Sequence, residues 1–187
     1  MYSELELNWL VGIIEGEGCF WMGQKKGTRQ RFSVSFDVCN TDLLIIQKCS
    51  KIMSEIIGKE CKIINHKNRF KGIYRVWIYN FPNIGKFIKI ILPYMVGIKK
   101  LQAQIILQFI ERRNRLNKLY KRPPAYTSED MKYLAAFKAT REYITKSVET
   151  IRSSSQVDGD IVRAATISKI AELGRNVPTT QLRFDLN

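Results

Sequence analysis

The chain has 187 residues, is 45% hydrophobic and 11% aromatic, and carries 31 Lys+Arg against 17 Asp+Glu for a formal charge of +14. That composition supports one substantial core and calls for a polyanionic partner, no stretch is apolar for long enough to span a bilayer, and the tail beyond Arg175 is expected to be loose. Cys19, Cys39, Cys49 and Cys61 show no Cys-x-x-Cys spacing and His66 is the lone histidine, which argues against a zinc site or a disulfide framework.

In chain order, Ser3 and Glu6 form a capping box ahead of a helix predicted from residue 4 to about 15. Leu5, Trp9, Leu10, Gly12, Ile13 and Ile14 leave it apolar on more than one face, so it needs a second surface to cover it. Residues 19–25 and 31–38 alternate as strands around the loop KKGTRQ, with Phe32, Val34, Phe36 and Val38 on one face and Arg31, Ser33, Ser35 and Asp37 on the other. Thr41 or Asn40 is expected to cap a helix that Gly58 ends. A second hairpin is predicted from Cys61 to about His66 and from Ile73 to Tyr79, around KNRFKG. Cys61, Ile63, Val76 and Ile78 are phased inward, and Lys62, His66, Arg75 and Trp77 outward. Helices follow at about 83–91 and 98–119, then at 128–152, opened by Ser128, and at 160–173.

One feature of this order is physically awkward. Glu15 and Glu17, in the stretch EGEG, stand where the first helix ends, and negative charge there opposes the helix dipole. A nearby cation would remove the conflict, and a divalent ion bound by a carboxylate, a backbone carbonyl and water is one candidate. Solvated or lysine-paired glutamates are the other. Gly12 and Gly16, four apart, present a face free of side chains to which another backbone can come close.

The stretch LVGIIEGEG resembles the signature peptide of the LAGLIDADG homing endonucleases, with Leu10, Gly12, Ile14, Glu15, Glu17 and Gly18 at its first, third, fifth, sixth, eighth and ninth positions. The element order is similar to that family's over about residues 4–115. The resemblance implies an α+β fold: an αββαββα core at 1–122 with an antiparallel, saddle-shaped DNA-binding sheet. A C-terminal helical extension, 123–187, would pack on the core or meet flanking DNA. It implies a twofold dimer through the motif helix, involving Trp9, Gly12, Ile13, Glu15 and Gly16. Glu17 becomes the metal-binding carboxylate, joined by the Gly16 carbonyl. Asn40 and Lys99, or Lys100 after a one-residue slip, would position water and offset phosphate charge.

The implied metal is Mg²⁺, with Mn²⁺ as a substitute and Ca²⁺ binding without supporting cleavage. The implied reaction is staggered double-strand cleavage of a long, roughly palindromic DNA target. Base readers would come from the sheet's polar face (Trp21, Lys25, Arg31, Ser33, Ser35, Asp37, Lys62, His66, Arg75 and Trp77), while the loops, with Lys26, Arg29, Lys67 and Arg69, would reach phosphates and flanking bases. Glutamate at both acid positions and asparagine at 40 depart from the common aspartates and glutamine, and alter the reach of these groups.

No second copy of the motif occurs in the chain, so two subunits are expected. The chain's own intron RNA is a further candidate partner. An intron maturase, a non-catalytic DNA-binding regulator and a basic RNA-binding structural protein are the alternatives. The N-terminal MYSELEL is acidic where a targeting segment is basic, so an intracellular location, organellar or prokaryotic, without membrane association is expected.

Overall fold

The computed structural model describes residues 2–24, 32–66, 72–120 and 125–153. The expected DNA contacts Lys25, Lys26, Arg29, Arg31, Lys67 and Arg69, and the helix expected at 160–173, lie outside the described residues; for His66 only the backbone is described.

Helix α1 (Glu4–Glu17) begins with the expected capping box: the Glu6 N–H donates to Ser3 Oγ at 3.2 Å and the Ser3 N–H donates to Glu6 Oε2 at 2.9 Å. The bond from the Ser3 backbone, then that from its hydroxyl, hold the Glu6 carboxyl below its ordinary pKa. This contribution is complete above the unfolded carboxylate's pKa and is lost as pH falls through the lowered one. The helix runs past residue 15, so both glutamates fall in its last turn, and it passes straight into β1 (Gly18–Gln24). Gly18 is required at that junction, because a Cβ would sit 2.7 Å from the Ile14 carbonyl oxygen.

Strand β2 (Phe32–Asn40) pairs antiparallel with β1 and with β4 (Ile73–Tyr79), and β3 (Ile63–His66) pairs with the far side of β4, giving the order β1-β2-β4-β3. The register sets Ile63 opposite Val76 and His66 opposite Ile73, which agrees with the phasing expected for the second hairpin. Between the hairpins lies α2 (Leu43–Ile57). Its cap is Asp42, whose Oδ1 accepts from the Leu44 N–H at 2.8 Å, and not Thr41 or Asn40. Asn40 instead closes a turn one step earlier, accepting from the Asp42 N–H at 2.8 Å.

Helices α3 (Phe81–Ile91) and α4 (Gly97–Leu119), separated by a short 3-10 turn at Leu92–Tyr94, cover the inner sheet face with α2. Phe20, Met22, Phe32, Val34, Phe36, Val38, Val76 and Ile78 point into that layer and are buried. Aromatic rings knit it together, with centroids 4.7 Å apart for Phe20–Phe36 and 5.0 Å for Phe36–Phe87.

Helix α5 (Ser128–Ser153) packs on α4 and adds Tyr133, Leu134 and Phe137 to the same core. Thr127, and not Ser128, caps it. Its hydroxyl accepts from the Asp130 N–H at 3.4 Å, and the Asp130 carboxylate accepts from the Thr127 N–H at 2.8 Å. Among the described residues, no helix is long and apolar enough to cross a membrane.

Candidate functional site

The cation demanded by EGEG is found on α4. Lys99 Nζ donates to the carbonyl oxygens of Ile14, Glu15 and Gly16 at 2.9, 2.7 and 3.2 Å, capping the end of α1 where unpaired carbonyls concentrate negative charge. Burial pushes the Lys99 pKa down, while Glu15, Cys19 and Glu17 act in the opposite sense.

The two glutamates have different surroundings. Glu15 Oε1 accepts from the Val96 N–H at 2.9 Å, at the positive end of α4, so its charge ties two helices together. Glu17 is exposed, and no hydrogen bond or ion pair holds its carboxylate among the described residues. Gly18 stands opposite Val38, so the end of α1 lies beside the end of β2, where Asn40 sits. The fold therefore gathers Glu17, Asn40 and Lys99 at one end of the sheet. Lys100 is not part of the carbonyl cap. Asn40 uses its carboxamide oxygen locally, and no hydrogen bond engages its Nδ2 among the described residues.

Among the described residues no three His, Cys, Asp or Glu side chains gather to form a metal cage. What the chain offers is one exposed carboxylate, Glu17, beside backbone carbonyls that already accept from Lys99, of which the Gly16 oxygen is the most distant at 3.2 Å. This sparse set of hard oxygen donors suits Mg²⁺, which retains waters and takes further ligands from phosphate, and does not suit a structural zinc.

The outer sheet face, running away from this end, is more internally bonded than its alternation suggests. Asp37, only 7% exposed, accepts from Arg75 Nη2 at 2.8 Å and from the Cys39 thiol at 3.5 Å. Burial, then Asp37, raise the Cys39 pKa to about 11, leaving the thiol protonated and unreactive. The hydrogen bond to Asp37 raises the Arg75 pKa, and its guanidinium carbon lies 5.4 Å from the Trp77 ring centroid. Trp21 lies along its own strand over Gly23, where a Cβ would be 2.5 Å from the indole. Ser33 and Ser35 are half-buried on the same face, and Lys62 is exposed beside β3.

The expected interface residues form a stripe on α1. Leu5 is 80% exposed, Gly12 and Gly16 are exposed with open space where a Cβ would point, and Trp9 and Ile13 are half-covered. Lys48 of α2 sits over the Trp9 ring at 4.3 Å, a neighbour that no local pattern could reveal.

No protein-family model matches the sequence, and no curated protein matches it. Solved structures do. The chain superposes on the LAGLIDADG homing endonuclease I-GzeII in complex with its DNA target, with a TM-score of 0.53 at 14% identity, over 71% of this chain and 43% of that one. It superposes on the LAGLIDADG meganuclease I-AabMI bound to uncleaved DNA, with a TM-score of 0.52 at 20% identity, over 71% and 43% of the two chains. The chain has the LAGLIDADG homing endonuclease fold. A third match is the group I intron-encoded homing endonuclease I-CeuI complexed with DNA, with a TM-score of 0.51 at 18% identity, over 62% and 58%. The match thus spans less than two thirds of each of these three chains.

Proposed function

We propose that the chain is a site-specific, homodimeric DNA endonuclease of the homing type, cutting a long, near-palindromic duplex with a short stagger. The observation that carries this reading is the exposed Glu17 carboxylate at the junction of α1 and β1, beside a helix end already neutralised by Lys99. Glu17 and the Gly16 carbonyl would hold Mg²⁺, which supplies an activated water and charge stabilisation at phosphorus when bound. Lys99 keeps the backbone beneath Glu17 fixed and places positive charge near the incoming phosphate. The Asn40 amide donates toward a water or phosphate oxygen. On the outer face, Ser33, Ser35, Lys62 and Arg75 read base edges, with Asp37 orienting Arg75 and the tryptophans walling the groove contact. The DNA-bound neighbours I-GzeII, I-AabMI and I-CeuI support a duplex partner, and I-CeuI supports an intron-encoded origin.

The α1 stripe gives the dimer its surface, with Gly12 and Gly16 admitting the twin helix closely and Trp9, Ile13 and Glu15 flanking it. Gly12→Gln is expected to leave the monomer fold unchanged, because nothing in the chain lies within 4 Å of the new Cβ, while abolishing self-association. Sedimentation velocity would check this; an intact Gly12→Gln dimer would exclude this face as the interface.

The reading as a whole is tested by incubating the protein and Mg²⁺ with a randomised duplex library and sequencing the ends produced. Staggered double-strand cuts at one long site are expected. Tight nucleic-acid binding with no cleavage under any divalent ion would replace it with a maturase or regulator.

A further inference from the structure

Among the described side chains of the outer sheet face the cations are Lys62 and Arg75, and Arg75 is already matched by Asp37. The basic hairpin loops beside it lie outside the described residues. Phosphate contacts provide most of the salt-dependent affinity of a DNA-binding protein, and helix α5 carries further exposed cations.

The direction of α5 is fixed by two contacts with α4. Asp130 pairs with Arg112 and Arg113, and the Gln102 side chain donates to Thr140 Oγ1 at 3.1 Å. The helices are therefore antiparallel, and α5 beyond Thr140 continues toward the first turn of α4, where Lys99 caps α1. A separate contact gives the same placement. Gln24 Nε2 meets Met131 Sδ at 3.6 Å. From there, ten residues of helix advance about 15 Å, and five of strand back to Cys19 cover about 16–17 Å. Arg141 thus comes level with Cys19, two residues from Glu17.

At this level α5 turns Tyr133, Leu134, Phe137 and Thr140 to the core, while Lys138, Arg141, Glu142, Thr145 and Lys146 line a shallow exposed groove on one face. Spacings of three, four, seven and eight residues place them on a single helical side, with three cations against one acid.

We propose that this face of α5 is a second DNA-contacting surface, on which Lys138, Arg141 and Lys146 grip backbone phosphates of the duplex next to the point of cleavage. The inference rests on the endonuclease reading above and adds to it a clamp outside the αββαββα core. Its contacts are with phosphates, so it contributes affinity and holds the scissile region against Glu17 without selecting bases.

The test compares the full-length protein with the triple variant Lys138→Gln, Arg141→Gln, Lys146→Gln, and with Arg141→Gln alone, on the duplex selected by the wild type. Binding is measured in Ca²⁺ over a range of salt. Each lost phosphate contact lowers the slope of log K against log salt by about 0.9, and each substitution removes one contact from both protomers, so the triple variant should fall by about five units. Its base-preference profile and thermal melt should be unchanged, and Arg141→Gln should lose about two units. An unaltered slope in the triple variant, with wild-type binding and cleavage intact, would overturn the clamp and leave the endonuclease reading standing. A slope change seen with RNA but not with duplex DNA would also overturn it. Failure of the wild type to bind any duplex would remove both.

Discussion

Glu17→Gln protein is expected to bind its DNA target within a few-fold of wild type and to cleave it at least about 10³-fold more slowly, equivalent to about 4 kcal/mol of lost transition-state stabilisation. The substitution keeps size and hydrogen-bonding capacity but removes the charge that would hold a divalent cation. Because the side chain is exposed and no described group bonds to it, the fold loses nothing. Single-turnover cleavage in Mg²⁺, with affinity measured in Ca²⁺, separates the two effects. Glu15→Gln is the internal control. Its amide oxygen can still accept from the Val96 N–H, so cleavage should fall far less. Equal losses at both positions would mean that charge at the helix end, and not a ligand at position 17, sets the rate.

The largest expected effect on stability is at the α4–α5 seam. Asp130 has no solvent exposure and accepts from Arg112, Arg113 and Thr127, while Arg113 is itself only 4% exposed. Asp130→Ala leaves a buried guanidinium without its carboxylate and opens the cap of α5, which should cost about 3–5 kcal/mol. That is a large fraction of the about 5–15 kcal/mol that stabilises a typical domain. Asp130→Asn should cost less, since its amide oxygen still accepts from the Thr127 N–H. Urea unfolding followed by circular dichroism reads both. A cost below about 1 kcal/mol for the alanine variant would show that α5 is not held through this carboxylate.

Local patterns carried most of the architecture. The Ser3–Glu6 box, the alternation of Phe32, Val34, Phe36 and Val38, and Gly58 at the end of α2 are decided by neighbours within a few residues, so the sequence displays them directly. The cap of α2 was harder to read because Asn40, Thr41 and Asp42 stand in a row and all suit a turn. Only the folded backbone decides that Asn40 makes the turn and Asp42 the cap.

The chemistry of the candidate site divides in the same way. Alternation assigns Asp37 and Arg75 to the polar face but is silent on partners across strands, so two apparent base readers prove bonded to each other. EGEG announces that a cation is needed. That Lys99, 83 residues beyond Gly16, provides it depends on how α4 packs, which no local pattern encodes.

The absence of any spacer between α1 and β1 bears on how such a protein can change. Gly18 is at once the cap of the helix and the first residue of the strand, and its N–H is still bonded to Ile14. No hinge can form there, so Glu17 cannot drift relative to the sheet when outward-facing side chains are exchanged. Variation at Ser33, Ser35 or Arg75 can therefore accumulate without disturbing the acid. On the endonuclease reading proposed above, the chain can acquire a new address while its cutting edge stays where it was.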